Sequence, residues 1–183
     1  MKLAHLRRSR EALGMLREVG DDFQADSSRQ GAAFEQQAKA YLGALGFELH
    51  GRRKFADIGC EIDDVAEAPN GELVYFEYKG SFKGSRPGMQ RTDTVKKALL
   101  TGFLLRSIGD DTPYYVLTSH LPTGGAAQRM IEAALSAKAV SGVLEMNDPM
   151  ASQALKERFG WPARPRMGPE RTWQPSLPIA RRA

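Results

Sequence analysis

The chain reads as an α/β protein with a mixed central sheet flanked by helices. Three observations support this expectation. Helix-spaced and strand-like apolar patterns alternate along the body of the chain. The strand-like runs are bracketed by helical ones, so both faces of a sheet can be covered. Two of the runs flank Ala68-Pro69-Asn70-Gly71, a turn sequence suited to an antiparallel hairpin. With 183 residues, the chain can form one domain of usual size with tails.

Taken in order, residues 3–19 carry Leu6, Leu13 and Leu16 at helical spacing and predict an amphipathic helix. The polar stretch DDFQADSSRQG interrupts it. A helix over 31–45 follows, with Phe34, Ala38, Tyr41, Leu42 and Leu45 on one face and Gly46 at its stop. Extended segments are predicted over 47–53, 59–67 and 72–79, the last two joined by the hairpin turn. The loop GSFKGSRPGM leads to a helix over 90–108, a strand PYYVLTSH, a helix over 125–138, a weaker strand SGVLEM and a helix over 149–159. The expected organisation is an N-terminal helix and polar loop over 1–29, an α/β domain over 30–160, and a Pro/Arg-rich tail over 161–183. The composition of that tail predicts disorder unless a partner orders it.

Composition excludes several classes. No apolar run is long enough to span a bilayer, and the N-terminus lacks the continuous apolar segment of a secretory signal. Cys60 is the only cysteine, which rules out an intrachain disulfide and a multi-thiolate zinc site and makes a reducing, cytoplasmic setting the default expectation. His5, His50 and His120 lack metal-ligand spacing. Ser119-His120 has neither a nucleophile elbow nor an evident acid partner. The formal net charge of +4 resides in the tail, where five arginines face one glutamate. Such a tail aids solubility or grips phosphates without reading sequence.

One segment departs from ordinary patterning. Leu73-Val74-Tyr75-Phe76 is as apolar as an interior strand, yet it runs directly into Glu77-Tyr78-Lys79. Side chains alternate along a strand, so Glu77 and Lys79 share a face. A hairpin about Asn70 brings the 63–64 region opposite 76–77, so two or three carboxylates and an ammonium converge. Acids held that close repel unless a cation sits between them, and Mg2+ is a hard ion that takes carboxylate and phosphate oxygens. A five-residue turn puts Asp63 on the face of Glu77, and a four-residue turn puts Asp64 there. A structural ion pair between Glu77 and Lys79 is the plain alternative.

Glu61-Ile62-Asp63, the hairpin and LVYFEYK resemble the PD-(D/E)XK nuclease superfamily, also called restriction-endonuclease-like. The resemblance covers roughly 31–135 and implies an αβββαβ core. Glu35, on the preceding helix, sits where many members carry a further acid near the metal. The chain departs from the motif in two places: no proline precedes Asp63, and Tyr78 is bulkier than the usual residue between acid and lysine. The match of Glu61-Ile62-Asp63 to the family pattern favours Asp63 over Asp64.

The resemblance implies a Mg2+-dependent DNA endonuclease, with Mn2+ able to substitute, serving restriction or defence, or recombination or repair. Asp63 and Glu77 would hold the metal, Glu35 would be a further or outer ligand, and Lys79 would orient the attacking water. Lys83, Arg86, Arg91, Lys96 and Lys97 are candidates for contact with the DNA backbone. Cleaving both strands calls for two active sites, so a homodimer is the expected partner arrangement, with the N-terminal helix available as its contact. The alternative is a nuclease-like subunit that binds nucleic acid or protein without cutting. A third reading is an adaptor acting through its Pro/Arg tail.

Overall fold

The computed structural model describes residues 28–81 and 86–160. The helix expected over 3–19, the loop position Lys83 and the tail over 161–183 lie outside the described residues. Helix α1 occupies 28–44 and is followed by strands β1 (Glu48–Phe55), β2 (Cys60–Glu67) and β3 (Leu73–Lys79). Then come helix α2 (Thr92–Ser107), strand β4 (Tyr114–Thr118), helix α3 (Gly125–Ser136), strand β5 (Gly142–Glu145) and helix α4 (Pro149–Phe159). The protein is therefore α/β, as its patterning predicts. Every element expected within the described residues is present, with ends shifted by a few residues. Two short 3-10 turns, Ala56–Ile58 and Gly88–Gln90, were not expected.

The five strands form one sheet in the order β1-β2-β3-β4-β5. β1, β2 and β3 pair antiparallel, whereas β3, β4 and β5 pair parallel. Helical connections between β3, β4 and β5 allow the parallel pairing, because a parallel neighbour needs a crossover. The hairpin between β2 and β3 turns through five residues, with Glu67 opposite Leu73. Gly71 lies in the left-handed region, with φ 84°, at the end of the Pro69-Asn70 turn.

Two apolar layers sandwich the sheet. On one side, Phe34, Ala38, Leu42 and Leu45 around α1 join Leu155 and Phe159 of α4 against Ala66, Val74, Phe76, Tyr115 and Leu117. Phe47 fills the centre of this layer, edge-on to both Phe76 and Phe159. On the other side, Val95, Ala98, Leu99 and Leu105 of α2 join Ala127, Ile131 and Ala134 of α3 against Ile62, Tyr75, Tyr114 and Val116. β3 is buried from Val74 to Tyr78 because both layers close on it. This explains why it reads as a continuous apolar run rather than an alternating one.

The β1–β2 pairing is irregular in a way that positions the site. From Gly51↔Val65 to Arg53↔Ile62 the register advances two residues on β1 but three on β2. The additional residue falls in the Asp63-Asp64 segment, forming a bulge that re-aims neighbouring side chains. A compensating shift lies between Leu49 and Gly51, where Gly51 adopts φ 87°.

Candidate active site at the carboxyl end of the third strand

β3 delivers Glu77 and Lys79 to the end of a central strand. Glu77 lies beside Val116 of β4 and alternates with Tyr75, so it projects toward the α2–α3 layer. It is only 6% exposed. One carboxylate oxygen, Oε1, pairs with Lys79 Nζ. The other, Oε2, is buried and has no hydrogen-bond partner. A buried acceptor in that state is costly unless a proton, a water or an ion satisfies it. Burial pushes the Glu77 carboxyl above its ordinary range; Lys79 opposes the shift and the neighbouring Asp63 charge adds to it.

Asp63 approaches from β2. Its Oδ2 accepts a hydrogen bond from the Tyr78 backbone N–H at 2.9 Å and lies 3.9 Å from Lys79 Nζ. The last backbone pair of the hairpin is Asp64↔Phe76, so the Asp63 side chain takes over where the ladder stops. Asp63, Glu77 and Lys79 thus form one cluster. Cys60 lies near it: burial raises its thiol pKa first, and the Glu77 charge raises it further.

Asp64 lies elsewhere. It is fully buried, and its carboxylate accepts from Gly51 N–H at 2.7 Å and from the Tyr78 hydroxyl at 3.1 Å, with Lys39 Nζ at 3.4 Å. Every contact is with a donor, which is how a buried carboxylate is made tolerable. Tyr78, bulky for its place in the motif, uses its hydroxyl to satisfy this acid.

Glu35 does not join Asp63 and Glu77 directly. It pairs with Lys39 at 2.8 Å and with Arg52 at 3.2 Å, and the hydrogen bond from Lys39 is the main reason its carboxyl is held below the usual range. Arg52 connects the two groups. It also reaches Glu61 at 3.4 Å, and the charges of Glu35 and then Asp63 hold its guanidinium above its ordinary pKa. It also eases the ionisation of Glu77. Sequence reasoning passed over Arg52, because Arg52-Arg53-Lys54 reads as an ordinary solvated basic run. Its only signal was its place on the strand paired with the one that carries Asp63.

The loop between β3 and α2 is tied to β4. The Thr118 hydroxyl donates to the Lys79 carbonyl at 2.6 Å, and its oxygen accepts from Met89 N–H at 3.2 Å. Ser119 and Ser81 add a second tie. Gly88 fits this clamp with φ 58°, where a Cβ would fall 2.6 Å from Thr118 Oγ1 and 2.8 Å from His120 N. Of the predicted backbone-contact residues, Arg86, Arg91, Lys96 and Lys97 are all exposed.

Among the described residues, no group of three or more His, Cys, Asp or Glu side chains is gathered as a metal cage. Two carboxylates and an unpartnered buried oxygen still suit Mg2+, which keeps several waters and uses one or two carboxylates with substrate phosphates. Set against protein-family models, curated proteins and solved structures, the chain matches none of them. Its function is therefore read from these side chains. Among the described residues, no helix is long and apolar enough to cross a membrane.

Proposed function

We propose that this protein is a Mg2+-dependent nuclease acting on DNA phosphodiesters, built on a restriction-endonuclease-like core. The observation that carries the reading is the meeting of Asp63, Glu77 and Lys79 at the end of β3, with Glu77 Oε2 buried and unpartnered. The element order from α1 through β1, β2, β3 and α2 to β4 agrees with the αβββαβ arrangement that the motif resemblance implies. The site also lies at the carboxyl end of a parallel strand pair, where open α/β sheets commonly bind ligands.

Asp63 and Glu77 would hold the cation. When bound, Mg2+ supplies charge for the phosphate oxygens and lowers the pKa of a coordinated water. Glu77 would share its carboxylate between the cation and Lys79, and the Lys79 ammonium would orient a water in line with the scissile bond. Lys79 also lies where it can meet negative charge growing on phosphorus. Arg86 and Arg91, both exposed before α2, would meet backbone phosphates, which fix position rather than sequence. Glu35 acts through Arg52 rather than as a direct ligand.

The Glu77–Lys79 pair, in which each side chain neutralises the other, favours a second reading, a nuclease-like subunit that binds without cutting. One experiment separates the two: incubation of supercoiled plasmid with wild-type and Lys79→Ala protein, with Mg2+ or with chelator. Nicking that requires Mg2+ and falls about 10²–10³-fold in the variant supports catalysis. Equal nicking by both proteins overturns the assignment, and no nicking by wild type on plasmid, single-stranded or junction DNA favours the binding subunit.

A further inference from the structure

Helix α2 is apolar on the side where a surface helix should be polar. Its inner face, Val95, Ala98, Leu99, Gly102 and Leu105, is buried against the sheet and α3. Its outer face presents Leu100 at 56% and Phe103 at 47% exposure, with Ile108 at 49% just past its end. From Ala98 to Leu105 there is no charged residue. A helix lying on a sheet normally shows a charged outer face, and one that is apolar all round is normally covered all round. A single exposed leucine would be unremarkable, but a contiguous stripe of large apolar side chains marks an interaction surface.

The charges flanking the stripe identify the partner. Lys96 and Lys97 stand at its amino end, one turn after Asp93, and Asp111 is exposed just past its carboxyl end, where the Asp110 carboxylate is already taken by the Tyr75 hydroxyl and the Thr112 amide. Among the described residues, the side chains of Lys96, Lys97 and Asp111 make no hydrogen bond or ion pair. Two lysines outweigh Asp93 at one end, and at the other Arg106 is turned onto the Lys138, Asp110 and Thr112 carbonyls while Asp111 stays exposed, so the stripe complements itself when turned end for end.

We propose that this face is a homodimer interface, in which α2 packs antiparallel on α2 of a second copy about a two-fold axis near Phe103. Such an isologous contact stacks Leu100 and Phe103 of both copies. It sets Lys96 and Lys97 of each toward Asp111 of the other, twice per dimer. The lysines, predicted from sequence as DNA contacts, then take carboxylates instead. The contact uses the outer side of α2, away from Glu77 and Lys79, and does not depend on the nuclease reading.

Sedimentation velocity of the full chain tests this. The wild type is expected to sediment as a dimer. Phe103→Glu is expected to weaken dimerisation at least about 30-fold, because it buries a charge at the centre of the contact. Circular dichroism checks that the variant folds; Leu100→Glu, at the more exposed position, repeats the test if it does not. Lys97→Glu and Asp111→Lys should each weaken the dimer, and the doubly swapped chain should recover it. A wild-type monomer, or a dimer indifferent to both glutamates, overturns the proposal.

Discussion

Asp63 and Asp64 are adjacent in the chain yet serve opposite sides of the sheet. Asp64 sits opposite Phe76, in the layer beneath α1, held by Gly51, Tyr78 and Lys39. Asp63 meets the Tyr78 amide and Lys79 on the side of Glu77. The five-residue turn sets this arrangement, and the bulge in β2 lets Ile62 reach the α2–α3 layer while Asp64 reaches the other.

This division predicts opposite phenotypes for two neighbouring substitutions. Asp64→Ala leaves the Gly51 N–H and the Tyr78 hydroxyl without their acceptor in a dry site. It should cost about 2–4 kcal/mol, or ~5–15 °C in melting temperature. Asp63→Ala, at a partly exposed position, should cost about 1 kcal/mol yet abolish Mg2+-dependent cleavage. Thermal unfolding and plasmid nicking on the same preparations check both. A stable, inactive Asp64 variant beside an active Asp63 variant would reverse the roles.

Glu77→Gln should stabilise the metal-free protein. Burial raises the Glu77 carboxyl pKa in the folded state, so the folded chain holds that proton more tightly than the unfolded one. Its stabilising contribution is complete below the unfolded value of about 4.3 and is lost as pH rises through the folded value. At neutral pH, with chelator present, the variant should therefore be more stable by about 1 kcal/mol, ~2–4 °C. The gap should close as pH falls toward 4.3. Added Mg2+ should stabilise only the wild type. A gap that ignores pH would show that the buried carboxylate is not the source.

The order of elements was legible because each has a local signal: helical spacing in α1, α3 and α4, Pro-Asn-Gly in the hairpin, and β-branched and aromatic runs in β3 and β4. So was the convergence of Glu77 and Lys79, which needs only strand alternation. The bulge was not, because it depends on how β1 pairs with β2, two strands whose own sequences permit several registers. The choice between Asp63 and Asp64 rests on a different quantity, the length of the β2–β3 turn, for which Pro69-Asn70-Gly71 permits four or five residues. Glu35 was placed by analogy with the motif. The competing draw of Lys39, four residues on and one helical turn away, was visible in the sequence but was not weighed.

Thr118 is expected to be a positioning residue. Thr118→Val keeps the volume but removes the hydroxyl that holds the Lys79 carbonyl and receives the Met89 amide. The loss should be about 1 kcal/mol, because the Lys79 carbonyl loses this donor while the Met89 amide keeps the His120 carbonyl at 2.9 Å. It should act on kcat more than on KM, since Lys79 shifts while DNA contacts persist. Thr118→Ser, which restores the hydroxyl, should recover kcat. A variant that loses stability with kcat intact would confine Thr118 to a structural part.

Arg52 should tune cation affinity without supporting the fold. Its side chain is 55% exposed, so its pairs with Glu35 and Glu61 contribute little to stability, and Arg52→Ala should shift unfolding by no more than about 0.5 kcal/mol. Its charge nevertheless acts on both Asp63 and Glu77. Removing it leaves the acids less neutralised, so Mn2+ or Mg2+ should bind about 3-fold more tightly in calorimetric titration at low ionic strength. The gain should shrink as salt is added, because a partly exposed charge is screened over about 10 Å at 0.1 M. Unchanged affinity at low salt would separate Arg52 from the site. Weaker binding would mean that the guanidinium aligns the carboxylates rather than competing with the ion for them.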